Sequence, residues 1–133
     1  MIMTTKVLVV DDNISLTAIL QQMLLDEGFE VNAAADGEEG YLAYLLSRPD
    51  VILTDIHMPG ENGLELMKHI RMHDPEARAI YMSGDWENFQ SAIEEEQKKF
   101  CTRFLRKPFS GAELMRLLSE CLNSCGKGVP QRV

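Results

Sequence analysis

The chain has 133 residues, 45% of them apolar and 26% charged, the balance of an ordinary globular domain with one core and no second folding unit. With 13 basic residues against 21 acidic ones its net charge is −8, which argues against nucleic-acid binding, because that needs a clustered basic face. No apolar run approaches the ~18 residues of a membrane span, and the start "MIMTTK" lacks the apolar stretch of a signal peptide.

The first element, "KVLVV" (Lys6 to Val10), is a short β-branched run of the kind that forms a strand covered on both faces. It stops at Asp11-Asp12. In "NISLTAILQQMLLDEG" the residues Leu16, Leu20, Met23 and Leu24 recur at helical spacing, and Gly28 stands where a helix stops. "FEVNAAA" reads as a second, weaker strand. Asp36 is placed to cap the helix "DGEEGYLAYLLS", with Tyr41, Leu42, Leu45 and Leu46 as its expected apolar stripe.

In "VILTD" the residues Val51, Ile52 and Leu53 read as a short buried third strand, and Asp55, where the strand should end, is a carboxylate costly to desolvate unless something compensates it. The helix "NGLELMKHIRMH" places Leu64, Met67 and Ile70 on one face. "ARAIYMSG" is a fourth strand. "DWENFQSAIEEEQKKF" reads as a helix with Glu94–Lys98 and Glu95–Lys99 in the favourable order. A short fifth strand, "TRFLRKPF", leads into "SGAELMRLLSECLNS", whose inner face is Leu114, Leu117, Leu118, Cys121 and Leu122. Strand and helix alternate five times, which predicts an α/β fold: a parallel sheet, helices on both faces and right-handed crossovers.

Cys101, Cys121 and Cys125 are an odd number and are read as reduced thiols in a cytosolic protein. Cys121 and Cys125 stand four apart, but no second Cys or His pair completes a metal set. His69 and His73 have a zinc-compatible spacing without the HExxH pattern, and an exposed polar face explains them better. Trp86 and Phe89 open the fourth helix; core packing is the default, with a partner contact as the sharper reading of Trp86.

In an open parallel sheet, ligands bind beyond the carboxyl ends of the strands. The first strand delivers Asp11 and Asp12 there, the third Asp55, the fourth Ser83-Gly84, and the fifth Lys107-Pro108. Singly each is weak, since an Asp after a strand is commonly a helix cap. Jointly they place three carboxylates, a hydroxyl and an ammonium on one rim. Carboxylates so crowded raise one another's pKa unless a cation sits among them. That oxygen set suits Mg²⁺. A carboxylate can also act as a nucleophile toward phosphorus, provided that positive charge meets the phosphoryl oxygens.

Four motifs, "VVDD" (Val9 to Asp12), "LTDIHMPGENG" (Leu53 to Gly63), "YMSG" (Tyr81 to Gly84) and "FLRKPF" (Phe104 to Phe109), together resemble the receiver domains of two-component response regulators, in order and in spacing. The resemblance covers Lys6 to Leu122. It implies a (βα)5 doubly wound, flavodoxin-like sheet in strand order 2-1-3-4-5, with residues 1–123 as the receiver domain; the two glycines, the proline and the lack of periodicity in "GKGVPQRV" make 124–133 the expected flexible tail. It implies that Asp55 is the phosphoacceptor, supplied by a sensor histidine kinase or histidine phosphotransfer protein. Asp12, Asp55 and the backbone carbonyl of His57 would hold Mg²⁺, with Mn²⁺ able to substitute and Asp11 acting mainly through a bound water. Ser83 would donate to the phosphoryl group and Lys107 would pair with it. Pro108 is the expected cis-proline, and Phe104 sits at the family's switch position.

The resemblance further implies a cytoplasmic signalling module rather than an enzyme. Its output would run through an unnamed downstream protein, without nucleic acid or membrane, as a monomer or a phosphorylation-dependent dimer. His57 and Asp85 hold positions that tune phosphate lifetime in the family. Two departures stand out: no glycine occurs from Asp85 to Ser110, and the fourth helix with its loop is slightly long. Two alternatives stay open, a receiver cut from a larger hybrid kinase or regulator and a haloacid-dehalogenase-type phosphohydrolase. The second is disfavoured because His57 replaces the second Asp of that family's D-x-D.

Overall fold

A computed structural model describes residues 4–123. The strands are β1 (Lys6–Val10), β2 (Glu30–Ala34), β3 (Val51–Asp55), β4 (Ala79–Ser83) and β5 (Thr102–Arg106). They alternate with α1 (Ile14–Asp26), α2 (Gly37–Ser47), α3 (Gly63–His73), α4 (Trp86–Gln97) and α5 (Gly111–Asn123). All pairings are parallel and the sheet order is β2-β1-β3-β4-β5, as expected.

Alternate residues of each central strand feed opposite cores, because side chains on a strand point to alternate faces. Val7, Val9 and Leu53 pack with Leu20 and Leu24 of α1 and Leu114 and Leu118 of α5. Leu8, Val10 and Ile52 pack with Tyr44 of α2, Leu66, Met67 and Ile70 of α3, and Ile93 of α4. Each fully buried Leu or Ile contributes about 1.5–3 kcal/mol relative to exposure. The two-sided burial explains why β1, β3 and β4 carry consecutive apolar residues rather than an alternation of apolar and polar ones.

Helix ends follow their chemistry. Asp36 Oδ1 accepts the Glu39 N–H at 2.8 Å, and Gly28 takes φ +94° just beyond α1. Asn62 and Glu65 form a reciprocal capping box at the start of α3, each bond 2.9 Å long.

Three expectations are corrected. In α2 the buried residues are Gly37, Gly40 and Tyr44, while Leu42, Leu45 and Leu46 are exposed. A Cβ on Gly40 would lie 3.1 Å from Val10 Cγ2 and from Leu66 Cδ2, so the glycine lets α2 sit close to the sheet and turns its leucines outward. In α4 the Glu94–Lys98 and Glu95–Lys99 pairs give way to Lys98–Glu95 at 3.1 Å, because the helix ends at Gln97. Of the cysteines read as reduced, Cys101 is disulfide-bonded, Cys121 is a free buried thiol, and Cys125 lies outside the described residues.

The glycine-free stretch needs no glycine. After α4 the chain stays right-handed at Lys98 (φ −72°, ψ −23°), and the Phe100 N–H returns to Glu96 O at 2.7 Å.

Candidate functional site

Parallel strands bring all five carboxyl ends to one rim. There Asp11 is 2% exposed, Asp55 7%, and Asp12 is exposed. One carboxylate oxygen from each of the three lies within 4.8 Å of the others. Among the described residues this is the one group of three or more His, Cys, Asp or Glu side chains so gathered.

Asp11 is held on every side. Its N–H donates to Ala34 O at 3.1 Å, and its Oδ1 accepts the Asn13 N–H at 2.9 Å. Its carbonyl accepts from Thr17 Oγ1 at 3.2 Å, and its Oδ2 accepts from Lys107 Nζ at 3.1 Å. The capping role open to Asp11 or Asp12 falls instead to Asn13, whose Oδ1 accepts the Leu16 N–H at 3.1 Å. Both aspartates are therefore released from helix duty.

Asp55 closes β3. Its Oδ2 lies 3.5 Å from Lys107 Nζ, and the His57 N–H hydrogen-bonds its carboxylate. Burial lifts the Asp55 carboxyl above its ordinary range; Lys107 opposes that rise and the Asp11 carboxylate adds to it. Three carboxylates against one ammonium (−3 + 1) leave an excess of two negative charges. An oxygen-only set of this charge, with mutual separations inside 4.8 Å, fits a hard divalent cation with bond lengths of about 2.1 Å.

Lys107 is itself positioned by the backbone. Its N–H donates to Ser83 O at 2.9 Å, and the Lys107–Pro108 peptide is cis, as expected. Ser83 is buried, and its Oγ accepts the Asp85 N–H at 2.9 Å, which leaves its O–H proton available. Asp85 makes no side-chain cap, so the start of α4 lacks that anchor. His57 is exposed and sets its ring edge-on to Phe89, centroids 5.0 Å apart. Trp86 and Phe104, read separately from the sequence, are in contact, with ring centroids 4.7 Å apart.

Residues the sequence reading passed over also shape the site. A Cβ on Gly63 would lie 2.3 Å from the Asp55 carbonyl oxygen, so only glycine lets α3 start so close to the end of β3. Thr54 Oγ1 donates to that same carbonyl at 2.9 Å. The "GENG" run after Pro59 carried the signal, since glycine at the first turn of a helix needs a packing reason. His69 pairs with Glu61 and His73 with Tyr41, so neither joins the acidic group.

Residues 7–119 match the family described as "Response regulator receiver domain". The chain is 30% identical to sporulation initiation phosphotransferase F of Bacillus subtilis (strain 168) over 112 residues, 84% of this chain and 89% of that protein. Vibrio cholerae chemotaxis protein CheY4 superposes with a TM-score of 0.82 at 31% identity, covering 90% of this chain and all of that one. A chain of the CheX–CheY–BeF3–Mg²⁺ complex from Borrelia burgdorferi does so with a TM-score of 0.80 at 28% identity, covering 87% of each. Receiver domains are phosphorylation-dependent signalling switches that bind Mg²⁺ at an aspartate cluster and interact with histidine kinases or phosphotransfer proteins. In its motifs, its strand order and the charge at its rim, the chain belongs to the response regulator receiver family.

Proposed function

We propose that Asp55 accepts a phosphoryl group from a phosphohistidine on a sensor histidine kinase or histidine phosphotransfer protein. The observation that carries this reading is Lys107 Nζ standing 3.1 Å from Asp11 and 3.5 Å from Asp55, with Asp12 beside them. An Asp55 carboxylate oxygen attacks phosphorus as the P–N bond to imidazole breaks. The electron pair returns to the imidazole nitrogen, which takes a proton from water. Lys107 then turns from two carboxylates toward the new phosphoryl oxygens. Mg²⁺, or Mn²⁺ in its place, would be held by Asp12, Asp55 and the His57 carbonyl, with Asp11 acting through water, and would neutralise charge on the transferring group.

Ser83 supplies the readout. Donating its free O–H proton to the phosphoryl group draws the Ser83–Asp85 loop inward, and the uncapped start of α4 follows. Trp86, the first residue of α4, carries that shift to Phe104. Phosphate binds only the drawn-in arrangement well, so it shifts a pre-existing equilibrium. Output then runs through contacts with a downstream protein in the cytoplasm, from a monomer or a phosphorylation-dependent dimer. We assign the switch to residues 1–123 and a tail role to 124–133, which lie outside the described residues.

The test is incubation with acetyl phosphate and Mg²⁺ followed by intact mass measurement. One phosphate is gained by the native chain and none by Asp55→Asn. An absent adduct, or one that survives the substitution, refutes the assignment.

A further inference from the structure

Between α2 and α3 runs an open groove of about 910 Å³ whose chemistry the phosphoryl-transfer reading does not use. Leu42 of α2 and Met72 of α3 form its apolar part and are 55% and 76% exposed. Asp36, Glu38 and Glu61 rim it, and among the described residues no Lys or Arg lines it. The Tyr41–His73 hydrogen bond and the Glu61–His69 pair tie the surrounding side chains together.

We propose that this groove docks a cationic amphipathic helix from a partner protein. Two parallel ridges with apolar side chains between them accept a third helix through residues spaced i, i+3, i+4 and i+7. Its lining runs along α2 from Glu38 to Leu42 and along α3 from His69 to His73, so the groove seats roughly one to two turns of an occupant. Its carboxylates, which face no Lys or Arg among the described residues, select Lys and Arg on the flanks of that helix and steer its approach. A second copy of this chain is the poorer occupant, since two chains of net charge −8 repel. The proposal does not depend on Asp55 being the phosphoacceptor.

The probe is a dye-labelled leucine–lysine peptide of about 14 residues, nearly four helical turns, titrated with the full chain by fluorescence anisotropy. Saturable binding is expected, weakened roughly tenfold in Leu42→Ser, in Met72→Gln and in Glu38→Lys. All three positions are exposed, so circular dichroism should report an unchanged fold. Glu27→Lys makes the same charge change beyond the end of α1, on the opposite face of the sheet, and should leave affinity unaltered. A leucine–glutamate peptide of the same pattern should not bind. Equal affinity in the groove variants would overturn the proposal, as would an equal loss in Glu27→Lys. A dimer in sedimentation that Met72→Gln dissociates, with the peptide failing to compete, would also overturn it and assign the groove to a second copy.

Discussion

The Arg71 guanidinium and the Glu96 carboxylate form an ion pair that ties the last turn of α3 to the last turn of α4. Arg71 is 6% exposed and is fully engaged: it also donates to Ala77 O, Cys101 O and Thr102 Oγ1, and its guanidinium lies over the Phe100 ring at 4.5 Å. Glu96 accepts in turn from Tyr81 at 2.7 Å. α4 is thus pinned at its C-terminal end, while its N-terminal end makes no side-chain cap.

Removing Arg71 leaves the half-buried Glu96 carboxylate without its cation and two backbone carbonyls, Ala77 O and Cys101 O, without a donor. Arg71→Ala should cost about 2–4 kcal/mol in denaturant unfolding, below the full range for a buried pair because Glu96 keeps some contact with solvent. Glu96→Gln, which keeps an acceptor for Tyr81, should cost less. A double-mutant cycle should show the two effects to be strongly non-additive, because they share one network. Additive losses would mean that the pair contributes packing only.

Gly63 admits no side chain. Gly63→Ala pushes a methyl carbon against the Asp55 carbonyl, so α3 or the end of β3 must move. A stability loss of about 1–3 kcal/mol is expected from this overpacking. The yield of the acetyl phosphate adduct should fall as well. Gly60→Ala makes a useful contrast: its φ of +74° brings strain, but nothing lies within 4 Å of the added carbon. It should affect stability while moving the adduct yield less.

The rim was legible because position in a parallel sheet follows from strand boundaries alone. Asp11, Asp12, Asp55 and Ser83 each follow or end an apolar run and Lys107 directly follows β5, so topology brings them together. Burial on helices was harder to read. In α2 hydrophobicity and burial diverge, because Gly37 and Gly40 allow close approach and leave three leucines in solvent. Arg71 was invisible for a different reason: its partners come from the α3–β4 connection, α4 and the start of β5, and no local pattern reports such a set. Trp86 and Phe104 were each singled out, but their contact depends on how α4 lies across β5.

The Cys121 thiol gives a pH dependence with a defined sign. Burial pushes it up from 9.0 to about 11, so the thiol is the favoured form in the folded chain. At pH 8 the folded chain should hold roughly a hundredfold less Cys121 thiolate than the unfolded chain, and alkylation at that residue should slow accordingly. The folded-state rate should keep rising about tenfold per pH unit toward 11, while the unfolded rate levels off near 9. Because the unfolded state ionises first, this group's contribution to stability is fully present below pH 9 and is lost as pH rises toward 11. Peptide mapping of the alkylated residue checks the rates. A thiol that reacts as fast folded as unfolded would contradict the burial.

Asp55 faces the opposite problem: its useful form is the costly one. Desolvation and the neighbouring Asp11 both disfavour the charged carboxylate, and Lys107 offsets only part of that cost. Asp55→Asn should therefore raise the melting temperature in EDTA by roughly 3–6 °C, what about 1 kcal/mol gives in a domain of this size. Adding Mg²⁺ should reverse the order. At ~100 times its Kd, an ion that binds only the folded state adds about 2.7 kcal/mol. The native chain should gain that increment and Asp55→Asn much less, because one of three carboxylates is gone. Calcium at the same concentration is a control for ionic strength alone, and it should stabilise less if the cluster prefers compact octahedral coordination. Equal stabilisation of both chains by Mg²⁺ would show that the ion binds elsewhere. A native chain already more stable than Asp55→Asn in EDTA would show that Lys107 alone compensates the charge.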